Sequence, residues 1–131
     1  MNKNYTVLYI DDNSDNRTLI ERFLNYEGFK VYSADTGQEG LAQAVAIKPD
    51  IFLIDLNLPD MNGYEVLNAL NDCQETQPIP KIIFSANDVH PAEQKSAVSH
   101  YFIQKPLDIS TLSKKLEYAI QHPHASPGSQ L

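Results

Sequence analysis

Apolar residues in this chain gather into short runs, and four of these runs stop at a chemically distinctive residue. VLYI ends at Asp11-Asp12, IFLI at Asp55, IIF at Ser85 and YFIQ at Lys105. Consecutive rather than alternating apolar positions mark strands covered on both faces. The first strand is expected over residues 6–10. Leu19, Ile20, Phe23 and Leu24 then form a stripe at the 3.6-residue period over 15–26, with Gly28 suited to a left-handed cap. A short second strand, 31–34, precedes Thr36 and Glu39, which have the spacing of a capping box. Leu41, Ala42, Val45 and Ala46 lie on the helix they open, and Lys48-Pro49 closes it. The third strand, 50–54, is the most continuously apolar and belongs at the centre of a sheet. Pro59 and Gly63 lead from it to a helix bearing Val66, Leu67 and Leu70.

The fourth strand is expected over 81–84 and the fifth over 101–104. Alternation requires a fourth helix between 87 and 99. Only Val89, Ala92, Ala97 and Val98 are apolar there, so it must be short, with Pro91 in its first turn and an end near Val98. Asp108 caps a last helix carrying Ile109, Leu112, Leu116, Ala119 and Ile120. Strict strand–helix alternation predicts an α/β fold, a doubly wound parallel sheet of five strands with helices on both faces. The domain spans 1–121 on this reading, and the polar, Pro/Gly/Ser-rich residues 122–131 form a disordered tail.

Composition removes several function classes. A length of 131 residues suits one domain, and a net charge of −7 without a basic patch argues against nucleic acid as a partner. Cys73 is the only cysteine, which rules out an internal disulfide and suits a reducing compartment. The amino-terminal apolar run is backed directly by acids, unlike a signal peptide, and no run approaches the roughly 18 apolar residues of a membrane span. A cytoplasmic protein with no membrane partner is expected. His122 and His124 lie in the polar tail and read as solvent-facing residues rather than metal ligands.

In an open α/β sheet the ligand crevice lies beyond the carboxyl ends of the strands, so the four strand-end stations converge although they are far apart in sequence. Three carboxylates so placed repel one another unless a cation offsets them, and Mg²⁺ is the natural hard cation for carboxylate and carbonyl oxygens. Asp55 is followed by Asn57, Pro59 and Gly63 in DLNLPDMNG. Together, the Asp pair, Asp55, Ser85 and Lys105-Pro106 resemble the CheY-like receiver domains of response regulators in two-component signalling, over about residues 5–121.

That resemblance implies a flavodoxin-like strand order of 2-1-3-4-5, with the acidic crevice between strands 1 and 3. It also implies roles. Asp55 is the phosphoacceptor, charged by a histidine kinase or phosphotransfer protein. Asp12 and Asp55 bind Mg²⁺ directly, the backbone carbonyl of Asn57 is a third ligand, and Asp11 acts through a water. Lys105 pairs with Asp55 at rest, Ser85 is the switch hydroxyl and Phe102 the aromatic that follows it. Asn57 and Asn87 tune self-dephosphorylation. The Lys105-Pro106 bond is cis. The downstream partner binds the surface of the fourth helix, fifth strand and fifth helix. Such a chain is a phosphorylation-dependent switch, here with no output domain in the 131 residues. It is not a conventional enzyme, since its covalent chemistry is its own phosphorylation and dephosphorylation.

Two other readings compete. A Mg²⁺-dependent phosphatase of the haloacid-dehalogenase type also uses a strand-end Asp, a hydroxyl and a Lys, but its Asp-x-Asp after strand 1 and its later Gly-Asp-x-x-x-Asp are missing. A non-phosphorylated interaction module of the same fold would have no need of the intact Asp11, Asp12, Asp55, Ser85 and Lys105. One departure from the family falls between Ser85 and Lys105, an interval of twenty residues. That is about two short of the usual spacing, so the fourth helix is where this chain is expected to differ.

Overall fold

The computed structural model describes residues 4–85 and 98–131. Its elements in chain order are β1 (Thr6–Ile10), α1 (Ser14–Tyr26), β2 (Lys30–Ala34), α2 (Gly37–Ile47), β3 (Ile51–Asp55), α3 (Gly63–Asn71), β4 (Lys81–Ser85), β5 (Tyr101–Gln104), α4 (Ile109–Gln121) and β6 (Ser129–Gln130). The sheet order is β2-β1-β3-β4-β5-β6 and every pairing is parallel. The expected 2-1-3-4-5 order is therefore present, with one strand added at the β5 edge. The helix expected between 87 and 99, with Pro91 and Asn87, lies outside the described residues up to position 97.

Period-two alternation divides the core between the two faces of the sheet. Val7, Tyr9, Ile51, Leu53, Ile82, Phe84 and Ile103 face one way and bury Ile20 and Leu24 of α1 and Leu112, Leu116 and Ala119 of α4. Leu8, Ile10, Phe52, Ile54, Ile83 and Phe102 face the other way, onto Ala44 of α2 and Val66, Leu67 and Leu70 of α3. β3 and β4 are buried at every position, their apolar centres together with the polar Asp55, Lys81 and Ser85 at their ends. Among the described residues no helix is long and apolar enough to cross a membrane.

Local signals set the element ends. Gly28 takes φ 97° behind α1, and Asp108 accepts from the Ser110 amide at the start of α4. At α2 only half of the expected capping box forms. The Thr36 hydroxyl accepts from the Glu39 amide, while the Glu39 carboxylate turns along the helix to the Gln43 amide group. The reciprocal box is at α3 instead, between Asn62 and Glu65. Cys73 is half-buried just past the end of α3.

Residues 122–131 depart from the disorder expected of their composition. The Gly128 and Ser129 amides donate to the His100 carbonyl, and the Leu131 amide donates to the Phe102 carbonyl. Ala125 and Leu131 pack against the cluster on the α1/α4 face. The physical reason is the β5 edge, whose unpaired backbone groups accept a strand through main-chain bonds that do not depend on apolar side chains.

Candidate functional site

The carboxyl ends of β1, β3, β4 and β5 form the crevice, and strand parity decides what enters it. Asp11 continues the face of Tyr9, and Asp55 continues the face of Leu53. Phe84 lies opposite Asp55 in the β3–β4 register. The carboxylate oxygens of Asp11, Asp12 and Asp55 lie within 4.8 Å of one another, with Asp11 and Asp55 buried and Asp12 exposed. The Lys105 ammonium is 3.4 Å from Asp55 Oδ2 and 4.7 Å from the Phe84 ring centroid. The Lys105-Pro106 bond is cis, and the Lys105 amide donates to the Ser85 carbonyl at 2.7 Å, tying the ends of β4 and β5 together.

Burial is the main electrostatic fact at Asp55. It pushes the carboxyl up to about 6, against the opposing pull of the Asn57 amide and the Lys105 ammonium, and the adjacent Asp11 adds to the rise. Asn57 donates its amide to Asp55 Oδ1 at 3.2 Å and pairs with Asn62 across the following loop. That loop closes tightly. The Gly63 amide donates to the Leu56 carbonyl at 2.7 Å, and a Cβ at Gly63 would sit 2.8 Å from the Asp55 carbonyl oxygen. Gly63 is therefore required by the close approach of α3 to the backbone of Asp55.

Ser85 adjoins this cluster at the carboxyl end of β4, where its carbonyl accepts from the Lys105 amide, while Phe102 lies further back in β5. Ser85 is buried at the end of β4, and Phe102 is already inside, in the cluster on the α2/α3 face. Of the residues picked out from the sequence, Asp11, Asp12, Asp55, Asn57, Ser85 and Lys105 thus gather at one end of the sheet, whereas Phe102 lies further back in β5, level with Ile83 and on the α2/α3 face. Asn87 lies outside the described residues.

Several contributors were not singled out by sequence. Tyr9 donates its hydroxyl to Asp11 Oδ2 at 2.5 Å, and Arg17 Nη1 donates to the Asp11 carbonyl at 2.7 Å. Asp60 accepts from the Gly37 and Gln38 amides, pinning the β3–α3 loop to the start of α2 and holding its own carboxyl below the usual range. Tyr9 sits within a strand run and reads there as core; its shared parity with Asp11 was the available signal.

The sequence profile of the response regulator receiver domain family matches residues 7–117, and the chain belongs to that family. Its members are phosphorylation-dependent switches, and this membership leaves the haloacid-dehalogenase reading without support. The cell cycle response regulator CtrA of Brucella ovis is 47% identical over 73 residues, which is 56% of this chain and 32% of that protein. The chain thus spans 32% of the length of the first curated relatives it matches. The chemotaxis response regulator CheY4 of Vibrio cholerae is 26% identical with a TM-score of 0.80, covering 87% of this chain and 97% of that one. The receiver domain of the sensor histidine kinase PA1611 from Pseudomonas aeruginosa PAO1 shares the fold at 23% identity and a TM-score of 0.80, covering 89% and 98%.

Proposed function

We propose that Asp55 accepts a phosphoryl group from a phosphohistidine of a histidine kinase or phosphotransfer protein, and that this changes the surface the chain offers to a downstream protein. The observation that carries the reading is a buried carboxylate at the end of the central strand, with two more carboxylates within 4.8 Å and an ammonium 3.4 Å away. In the transfer an Asp55 oxygen forms the new P–O bond as the P–N bond to the imidazole breaks. Lys105 then exchanges its carboxylate partner for a phosphoryl oxygen, the Ser85 hydroxyl donates to the same group, and the Phe102 side chain repacks beside it.

The donor set suits Mg²⁺, since all of it is hard oxygen and two of the three carboxylates are buried with too little positive charge around them. Asp12, Asp55 and the Asn57 carbonyl would hold the ion directly, and Asp11 would hold it through a water. When bound it offsets the repulsion between carboxylate and incoming phosphoryl oxygens. The crystal structure of the PA1611 receiver domain has a magnesium ion coordinated in its active-site cleft, which supports the assignment. Asn57, and Asn87 by its position two residues after Ser85 in the sequence, tune the lifetime of the phosphorylated state. The downstream partner takes the surface around β5 and α4, which a phosphoryl-driven change at Ser85 and Phe102 reaches first.

Incubation with acetyl phosphate tests the reading. Wild type should gain one phosphoryl group in Mg²⁺ and none in a chelator, and Asp55→Asn should gain none in either. Equal labelling of Asp55→Asn would exclude Asp55 as the acceptor.

A further inference from the structure

The hydroxyl of Tyr9 is a buried polar group that the transfer chemistry does not use. Tyr9 is fully buried, and its ring is held against Phe84 at 5.8 Å between centroids, with Phe84 in turn beneath the Lys105 ammonium. A buried phenol needs an acceptor, and most find a backbone carbonyl or water. This one finds Asp11 Oδ2, at 2.5 Å. The rest of that carboxylate is also committed: Oδ1 accepts from the Asn13 amide at 2.9 Å, and Oδ2 is 3.4 Å from Asn16 Nδ2.

We propose that Tyr9 is a positioning residue of the metal site, whose hydroxyl fixes the orientation of Asp11 and thereby sets the affinity of the crevice for a divalent cation. The inference rests on the Mg²⁺ reading above. Two effects follow from one bond. A carboxylate that could otherwise rotate is held in a single orientation toward Asp12 and Asp55, as partners behind metal ligands commonly do. A charge-assisted bond also draws off part of the Asp11 charge, which eases the crowding of three carboxylates before a cation arrives and by itself would weaken binding, so the expected loss of affinity in Tyr9→Phe comes from the lost orientation. The side chain is suited to both tasks, because its position within β1 lets packing against the sheet lock the ring while the two-residue strand period aims the oxygen at Asp11.

The test is Mg²⁺ titration of the full chain by calorimetry, without phosphodonor, for wild type, Tyr9→Phe and Ile51→Val. Ile51 packs in the same cluster at the far end of β3, so its variant loses core contact and nothing at the crevice. Tyr9→Phe should bind Mg²⁺ about 10-fold more weakly, and Ile51→Val as wild type does. Unchanged affinity in Tyr9→Phe, with wild type binding normally, overturns the role of Tyr9 alone; failure of wild type to bind overturns the metal reading too. A second readout needs no variant. The ring-carbon resonance next to the Tyr9 hydroxyl should shift as wild type saturates with Mg²⁺, and a resonance that stays put contradicts the inference even if Tyr9→Phe fails to fold.

Discussion

At the amino-terminal end of β4 the Lys81 residue is 2% exposed, and its ammonium donates to the carbonyls of Gln77 and Ile79 at 3.0 and 2.8 Å. At the opposite end of neighbouring β3, Asp55 is 4% exposed and faces Lys105 and two further carboxylates. Burial drives both groups toward their neutral forms, Lys81 down to about 8 and Asp55 up to about 6. Their neighbours differ in sign. Lys81 is met by backbone dipoles of opposite polarity, so that end of the sheet is complete as it stands. Asp55 is met by like charges that one ammonium does not balance, so that end calls for a cation or a change of charge. Burial of an ionisable group does not mark function by itself; the sign of its surroundings does.

The largest expected effect that sharpens this contrast is on metal binding. Asp12→Ala should weaken Mg²⁺ binding by on the order of 100-fold, at the top of or beyond the range seen for outer partners. Retention of wild-type affinity in a titration would remove Asp12 from the ligands.

Next come two pH windows of opposite sense. The Lys81 value is lowered in the folded state, so the unfolded chain binds more protons between about 8 and 10.5. Wild-type stability relative to Lys81→Met should therefore rise across that window, by up to about 3 kcal/mol. The Asp55 value is raised, so its favourable contribution is complete below 3.8 and is lost as pH rises through about 6. In a chelator at pH 7, Asp55→Asn should then be more stable than wild type by about 2 kcal/mol, with the gain gone below pH 4. Denaturant titrations across pH read both. Mg²⁺ should erase the Asp55 window and leave that of Lys81, and erasure of both would collapse the distinction between the two ends.

The smallest effect concerns Lys105. Lys105→Ala should keep Mg²⁺ bound and accept label, but phosphorylation should no longer alter the surroundings of Ser85 and Phe102, as read by their amide chemical shifts. Loss of the metal in this variant, together with its retention in Asp12→Ala, would contradict the roles given to both residues.

Much of this was legible in the sequence because the determinants are local. Unbroken apolar runs mark β1, β3, β4 and β5 to within a residue, and strand-end chemistry marks Asp11, Asp12, Asp55, Ser85 and Lys105. What escaped depends on partners distant in sequence or on backbone alone. The carbonyls that receive Lys81 belong to a turn whose path no periodicity encodes. Asp60 looks like an ordinary loop acid until α2 is seen against it. Pairing of residues 129–130 with β5 uses main-chain groups that every sequence possesses, so composition argued for disorder where an open edge imposed order.

The central claim is that the like-charge end of the sheet exists to carry a phosphoryl group on Asp55, and its most direct test is chemical. An acyl phosphate on a carboxylate is reduced by borohydride to the alcohol, leaving homoserine in place of aspartate. After incubation with acetyl phosphate and Mg²⁺, borohydride treatment and peptide sequencing by mass spectrometry should find homoserine at position 55, at neither 11 nor 12, and nowhere when a chelator is present. Homoserine at position 11 or 12 in place of 55, or formation at 55 independent of the metal, would contradict the account.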